Sequence, residues 1–231
     1  LRLIFYHEKG NYYNDEKYYE YELLKKIKNK NMEETFKANG DDVKTLFRKD
    51  GIYDDVLKYI FYIFGNTTMI EAFFNPLKKL MKENGIIIKK SNEINKKKSK
   101  TKERSITPKE FELLFDEMID GFKKYLPYIL RVILKIIYSS IRKYFTIEED
   151  NFRPLNTTLI FNFISNPRIQ SIYSINPSKY KYIRTLNRLL CNTCFNIPFN
   201  EKDELCECNQ LVDNNHQKLK TFFQKFVLTI N

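Results

Sequence analysis

Residues 111–122 read FELLFDEMIDGF, and their apolar side chains recur with the period of an α-helix. The spacing i, i+3, i+4, i+7, i+8 and i+11 places one apolar stripe on one side of a helix. This stripe consists of Phe111, Leu114, Phe115, Met118, Ile119 and Phe122. A second stripe with a similar period consists of Ile129, Val132, Ile133, Ile136, Ile137 and Ile141. We expect both stripes to face the core of a helical protein.

Signals for helix ends agree with these periods. Thr107-Pro108 followed by Glu110 predicts a helix start, with an N-cap threonine, a proline at the first helical position and an acid in the first turn. Asn75-Pro76 is a second start signal, and Gly85 is suited to end that helix. No run alternates at period two for long enough to need a sheet. The predicted helices cover residues 14–37, 41–47, 51–64, 66–83, 108–124, 127–145, 153–165, 179–195 and 209–229.

The sequence therefore predicts an all-α fold, with residues 1–231 forming one domain. A chain of 231 residues is long enough to bury a full core, and only 6 Gly and 7 Pro argue against a turn-rich all-β fold. Most of the 16 Tyr and 19 Phe lie on the apolar stripes, where they are expected to fill the core. Because the first residue is Leu1, we expect the chain to be a piece of a longer protein.

The formal net charge of +11 is concentrated in one segment of the chain. Residues 89–109 hold nine Lys or Arg and two Glu, which gives seven of the eleven net positive charges. Because this stretch has no apolar period, we expect residues 88–106 to be a basic, mobile insertion in the helical domain. A nuclear address or a nucleic-acid tether is the alternative. No known nucleic-acid-binding pattern accompanies the segment, so a nucleic-acid partner is the less favoured interpretation.

Several classes of protein are excluded by what the sequence lacks. It has no HExxH, GxxxxGK[ST] or GxSxG motif, and neither His7 nor His216 has a catalytic motif around it. An enzyme with a complete site of its own is therefore not expected. No stretch of 18 uncharged apolar residues exists, so no transmembrane segment is expected either.

Four cysteines in a chain of this length form no disulfide framework and fit a reducing compartment. They are arranged as Cys191-x-x-Cys194 and Cys206-x-Cys208. Four thiolates are able to close a tetrahedral zinc site. However, Cys191 and Cys194 fall inside a predicted helix, and CxC is an uncommon half-site. We therefore expect ordinary thiols and no metal, with zinc on these four residues as the alternative.

The junction between two predicted helices carries an arginine. Arg48 follows Leu46-Phe47, where one helix is expected to end, and the next helix starts near Gly51. An arginine in such a loop is always charged and presents a planar fork of N–H donors that suits phosphate oxygens. A solvated arginine at a helix end explains the same spacing.

These residues resemble part of a known family, the Ras GTPase-activating (RasGAP) domains. Leu46-Phe47-Arg48, followed by Phe64-Gly65 and Asn75-Pro76-Leu77, is similar to the finger-loop region of neurofibromin-type members. Leu126-Pro127-Tyr128, followed by two cations one turn apart, is similar to a helix of IQGAP-type members. The order of the motifs is the same as in the family.

The resemblance continues through the C-terminal half of the chain. Residues 159–169, LIFNFISNPRI, resemble the FLR-x-x-x-PA element of RasGAP domains. Residues 184–192 resemble the following helix, and residues 209–212 resemble the start of the last one. The matching pieces together extend across nearly the whole chain.

The resemblance implies an all-helical domain that docks on a small GTPase of the Ras or Rho family in its GTP-bound state. The partner carries Mg²⁺ and GTP, and this chain has no cofactor of its own. Arg48 is then the arginine finger that stabilises charge on the transferred phosphoryl group. The resemblance assigns GTPase contacts to Leu46, Phe47, Asn162, Asn166, Pro167, Arg168, Arg184, Arg188 and Asn192. It further implies signal transduction in the cytoplasm, at the cytoskeleton or the inner membrane surface, with cytoskeletal partners reached through flanking domains.

Two departures from the family pattern leave an alternative open. Phe163 stands where the family has the arginine that supports the finger loop, and Arg168 replaces the alanine after the proline. Arg131, Arg153 and Arg168 are candidates to supply the missing support. IQGAP-type domains lack the finger arginine and bind active GTPases without accelerating hydrolysis. The alternative is therefore a catalytically inactive module that reads the GTP-bound state as a scaffold.

Overall fold

The computed structural model describes residues 52–84, 104–144, 152–160 and 180–229, and every structural statement below concerns these residues. They are predominantly helical and contain no strand, which confirms the predicted all-α fold. The α-helices are α1 (Ile52–Met69), α2 (Asn75–Glu83), α3 (Pro108–Tyr125), α4 (Tyr128–Tyr144), α5 (Arg153–Asn156), α6 (Tyr180–Phe195) and α7 (Asn209–Phe222). Two π-helical turns, Ile70–Phe74 and Phe223–Val227, continue α1 and α7, and a 3-10 turn, Cys206–Cys208, precedes α7. The helices predicted over 14–37 and 41–47 lie outside the described residues.

The helix break predicted at Gly65 is wrong. Gly65 is buried inside α1, which continues to Met69 and then through the first π-helical turn into α2. One glycine costs a helix only about 1 kcal/mol relative to alanine, which burial of the surrounding apolar face offsets. The start signal at Asn75-Pro76 was predicted, and α2 begins there. Proline lacks an N–H, and Pro76 lies in the first turn of α2, directly after the π-helical turn.

Helix α3 has the start and the buried face that its sequence predicts. The Thr107 side chain accepts a hydrogen bond from the Glu110 N–H, and the Glu110 carboxylate accepts one from the Thr107 N–H, which is a capping box. Pro108 is the first helical residue. All six residues of the predicted stripe are buried, with exposed fractions of 0–7%.

Helix α4 is buried on a broader face than its predicted stripe. Val132 and Ile136 are only half-buried, whereas Leu130 and Leu134, which the stripe omitted, are 0% exposed. The reason is that α4 packs against α1, α5 and the second π-helical turn, so neighbours cover it from more than one side. A period read from one helix does not indicate how many helices surround it.

Helix α3 lies at the centre of the packing. It contacts α1, the first π-helical turn and α2 on one side and α7 on the other, while α7 packs in turn against α6. A close approach occurs at Gly121, where an added Cβ atom would lie 2.5 Å from Ala72 Cα. Glycine at this position is what allows the two backbones to meet. No helix in the described part of the chain is long and apolar enough to cross a membrane.

Asn84, at the end of α2, and Arg104 meet beside the start of α3. Arg104 donates a hydrogen bond of 2.9 Å to Asn84 Oδ1, at the end of α2, and one of 2.7 Å to Glu110 Oε1. Ile106 is 4% exposed and belongs to the core. Arg104 and Ile106 therefore contact the helical body, and the insertion over 88–106 stays a prediction. Residues 85–103 lie outside the described residues.

Candidate functional site

Some of the predicted site residues lie in the described part of the chain, and the others lie outside it. Leu46, Phe47, Arg48, Asn162, Asn166, Pro167 and Arg168 lie outside the described residues, as does Phe163. Arg184, Arg188 and Asn192 are described, and all three lie on α6. Their spacing of four residues places them along one side of that helix. The structure therefore brings together the C-terminal third of the predicted GTPase contacts.

The two arginines on α6 differ in their surroundings. Arg184 is exposed. Arg188 forms an ion pair with Asp203, lies 3.6 Å from Glu204 Oε1, and stacks over the Phe199 ring at 5.4 Å from its centroid. Acidic groups on the loop after α6 thus neutralise Arg188, while Arg184 keeps its guanidinium in solvent.

Lys181 extends this basic side of α6 by one turn. Its ammonium lies 3.6 Å from Glu204 Oε2, so Glu204 lies between Lys181 and Arg188. Side chains in these pairs are between 23% and 57% exposed, which limits the strength of each pair in water. The loop therefore fixes the direction of the basic side chains more than it stabilises the fold.

Asn192 has a structural role at the end of α6. Asn196 has a φ of 48°, and the Ile197 N–H donates to Asn192 O at 3.0 Å, while the Asn196 N–H donates to Thr193 O at 3.4 Å. This pair of bonds is a Schellman motif, with asparagine tolerating the left-handed backbone. The Asn192 side chain adds a bond of 2.8 Å from Nδ2 to Ile197 O. Its amide group is therefore already used within the turn.

The last carbonyls of α6 receive side-chain donors from two other helices. His216 Nδ1 on α7 donates to Thr193 O at 2.9 Å, and Asn156 Nδ2 on α5 donates to Cys194 O at 3.1 Å. The guanidinium of Arg153 donates to Phe195 O. Such donors satisfy carbonyls that a helix end leaves open, and the Arg153 charge also favours the negative end of the helix dipole. The sequence did not predict these three hydrogen bonds, because the donor and acceptor residues are widely separated along the chain.

Two of the arginines considered as substitutes for the family arginine are described, and both bind backbone carbonyls. Arg153 binds the end of α6, and Arg131 donates to Phe226 O at 2.7 Å with its guanidinium 4.1 Å from the centre of the Phe226 ring. Each of them anchors a helix end in the described part of the fold. The third candidate, Arg168, lies outside the described residues.

The four cysteines are free thiols. Cys194 and Cys208 are buried, and burial is the main cause that raises the pKa of each thiol. Among the described residues no group of three or more His, Cys, Asp or Glu is placed to hold a metal ion. The zinc alternative on Cys191, Cys194, Cys206 and Cys208 therefore has no geometric support.

Comparison with known proteins identifies no family for this chain. No protein-family model matches the chain, and no curated protein matches it. The RasGAP interpretation therefore rests on the motifs quoted above and on their order.

Proposed function

We propose that this chain is a GTPase-activating domain that docks on a GTP-loaded small GTPase of the Ras superfamily and contributes Arg48 as an arginine finger. The observation that carries the proposal is the order of short RasGAP-like motifs from residue 46 to residue 212. The all-α fold supports it, because a RasGAP-like domain has to be helical throughout.

Three described motifs support the proposal by their positions in the fold. Asn75-Pro76-Leu77 opens α2, Leu126-Pro127-Tyr128 forms the junction between α3 and α4, and Asn209 opens α7. Each therefore lies at a helix boundary, and for Asn209 the resemblance implies such a position, at the start of the last helix. Exposed Arg184 on α6 is available to an acidic partner surface.

The proposed chemistry is shared between two proteins. The GTPase supplies GTP, Mg²⁺ and the group that orients the attacking water. Arg48 then contributes a fixed positive charge as negative charge spreads over the γ-phosphoryl oxygens and the leaving oxygen. A finger of this kind accelerates hydrolysis by about 10³–10⁵-fold, which corresponds to about 4–7 kcal/mol.

The test is single-turnover GTP hydrolysis by a panel of Ras- and Rho-family GTPases, with and without the chain. Arg48→Ala is expected to abolish stimulation while leaving binding to the GTP-loaded partner nearly intact. Arg48→Lys is the matched control, because it keeps the charge but loses the planar fork, and it is expected to restore little activity. Equal stimulation by wild type and Arg48→Ala would refute the assignment of Arg48.

A scaffold that binds active GTPases without accelerating hydrolysis is the second candidate. Arg131 and Arg153 favour it, because both are held by backbone carbonyls within the helical body, while Phe163 stands where the family has a supporting arginine. An unsupported finger is poorly positioned, and an error of about 1 Å costs on the order of a hundredfold in rate. The same panel separates the two candidates: a scaffold binds one GTPase only in its GTP form and leaves the hydrolysis rate unchanged.

A further inference from the structure

The segment Arg104-Ser105-Ile106-Thr107-Pro108 combines an exposed hydroxyl with features that protein kinases recognise. Thr107 is exposed, directly precedes a proline, and has an arginine three residues before it. Its backbone is extended, with φ −83° and ψ 158°. We propose that Thr107 is a phosphorylation site for a proline-directed serine/threonine kinase. This inference goes beyond the proposed function and does not depend on it.

The Thr107 hydroxyl is the centre of the capping box at the start of α3. Oγ1 accepts from the Glu110 N–H at 3.3 Å and donates to Glu110 Oε2 at 2.9 Å. The Thr107 N–H donates to the same carboxylate oxygen at 2.8 Å. The other oxygen, Oε1, accepts from Arg104 at 2.7 Å. One carboxylate thus joins the cap, the helix and the arginine that binds Asn84.

Phosphorylation is a complete group transfer with ATP as the donor. The bond between the γ-phosphorus of ATP and its β,γ-bridging oxygen breaks, and a new P–O bond forms to Thr107 Oγ1. The hydroxyl proton passes to the kinase's base, and ADP leaves. Because Thr107 and Pro108 begin a helix, the first turn of α3 has to open for the kinase, so modification is expected to be slower than in an isolated peptide.

The phosphate would compete with Glu110 for the same donors. It adds about −1.5 to −2 charges within hydrogen-bond range of a carboxylate whose side chain is 11% exposed. Phosphate binds guanidinium well, so Arg104 is drawn away from Glu110. Glu110 is then a buried carboxylate beside a like charge and without its cation. The start of α3 is therefore destabilised, although phosphate at a helix N-terminus is otherwise favourable.

Tyr182 on α6 is a buried group on which the same charges act. It is 1% exposed, and its hydroxyl has no hydrogen-bond partner among the described residues. Burial raises the pKa of Tyr182, the charge of Glu110 raises it further, and the charge of Arg104 lowers it. All three groups therefore lie within electrostatic range of one another. Moving Arg104 is therefore expected to change the pKa of Tyr182.

The experiment treats the folded chain with a proline-directed kinase and ATP and locates phosphate by mass spectrometry. We expect modification of wild type and Ser105→Ala at Thr107 and no modification at position 107 in Thr107→Val. The phosphorylated wild type is expected to melt about 5 °C below the unmodified chain. A synthetic peptide of residues 100–112 is treated in parallel. The proposal would be overturned if the peptide is phosphorylated and Thr107 of the folded chain is not. It would also be overturned if the kinase does not phosphorylate the peptide.

Two further variants test the physical cause. In Glu110→Gln the like charge is absent, so phosphorylation is expected to leave the melting temperature unchanged or to raise it. In Arg104→Gln the Glu110 carboxylate has no cation to lose, so the drop is expected to be smaller than that of wild type. An equal drop in wild type and both variants would refute the competition for Arg104, and a rise in wild type would refute the switch.

Discussion

Gly121→Ala places two physical effects in direct opposition. Helix propensity favours alanine over glycine by about 0.8–1 kcal/mol. The new Cβ would lie 2.5 Å from Ala72 Cα and 2.6 Å from Ala72 Cβ, whereas carbon atoms pack at about 3.5–4.0 Å. The helix carrying half-buried Gly121 and the turn carrying fully buried Ala72 therefore have to separate by roughly 1 Å where they meet.

The expected result is net destabilisation. Overpacking costs about 1–3 kcal/mol in a well-packed core, and the nearest atom here is backbone, which cannot rotate away. After the gain in propensity is subtracted, Gly121→Ala is expected to lower the free energy of unfolding by about 1–2 kcal/mol. For a domain of this size the melting temperature falls by about 2–4 °C for each kcal/mol.

The measurement is urea unfolding followed by far-ultraviolet circular dichroism. Ser139→Ala is the control, because Ser139 is exposed on α4 and alanine there meets no steric conflict; it removes only the exposed hydrogen bond from Ser139 Oγ to Lys135 O. Ala72→Gly in the Gly121→Ala background removes only the Cβ contact, so it is expected to restore little stability. An increase in stability in Gly121→Ala would show that propensity wins, and the close approach of these two segments would be refuted.

Three further predictions concern the residues around α6. Arg188→Ala loses an ion pair and an aromatic contact, so it is expected to lower the free energy of unfolding by about 1 kcal/mol. Lys181→Ala loses only an exposed ion pair and is expected to cost less than about 0.5 kcal/mol. Urea unfolding of both variants measures these losses, and equal losses would contradict the difference in geometry. His216→Leu removes the donor to Thr193 O and is expected to cost about 1–3 kcal/mol, measured in the same way; an unchanged midpoint would mean that the bond contributes nothing. Cys194 is 0% exposed with a raised pKa, so iodoacetamide is expected to modify it more slowly than half-buried Cys206 in the native chain, as followed by peptide mass spectrometry; faster labelling of Cys194 would show that it is accessible.

Local sequence signals predicted most of the helices, but Gly65 was wrongly predicted to end a helix. The start of α3 follows from Thr107, Pro108 and Glu110, which interact within one turn, and its buried stripe follows from period alone. Gly65 failed as a break signal because tertiary packing covers it. The burial of Leu130 and Leu134 depends on which helices surround α4, and that information is not contained in the period of α4 itself.

The surroundings of the candidate site were less predictable, because its contacts join distant parts of the chain. Arg153 meets Phe195, and His216 meets Thr193, across separations of 42 and 23 residues. Short motifs identify which residues are polar and which helix they occupy. They do not identify the carbonyl that a donor will bind. Asn192 illustrates this limit, since the motif assigned it to a partner and its amide group binds Ile197 O.

The ion pairs of Arg188 change how the basic side of α6 is expected to contribute to a GTPase interface. An acidic partner has to displace Asp203 and Glu204 before it binds Arg188, so the gain at Arg188 is an exchange of one carboxylate for another. Arg184 is exposed and makes its pair without such an exchange. Within the proposed function, charge reversal at Arg184 therefore reduces the association rate more than charge reversal at Arg188, because exposed charges steer encounter while paired charges are already neutralised.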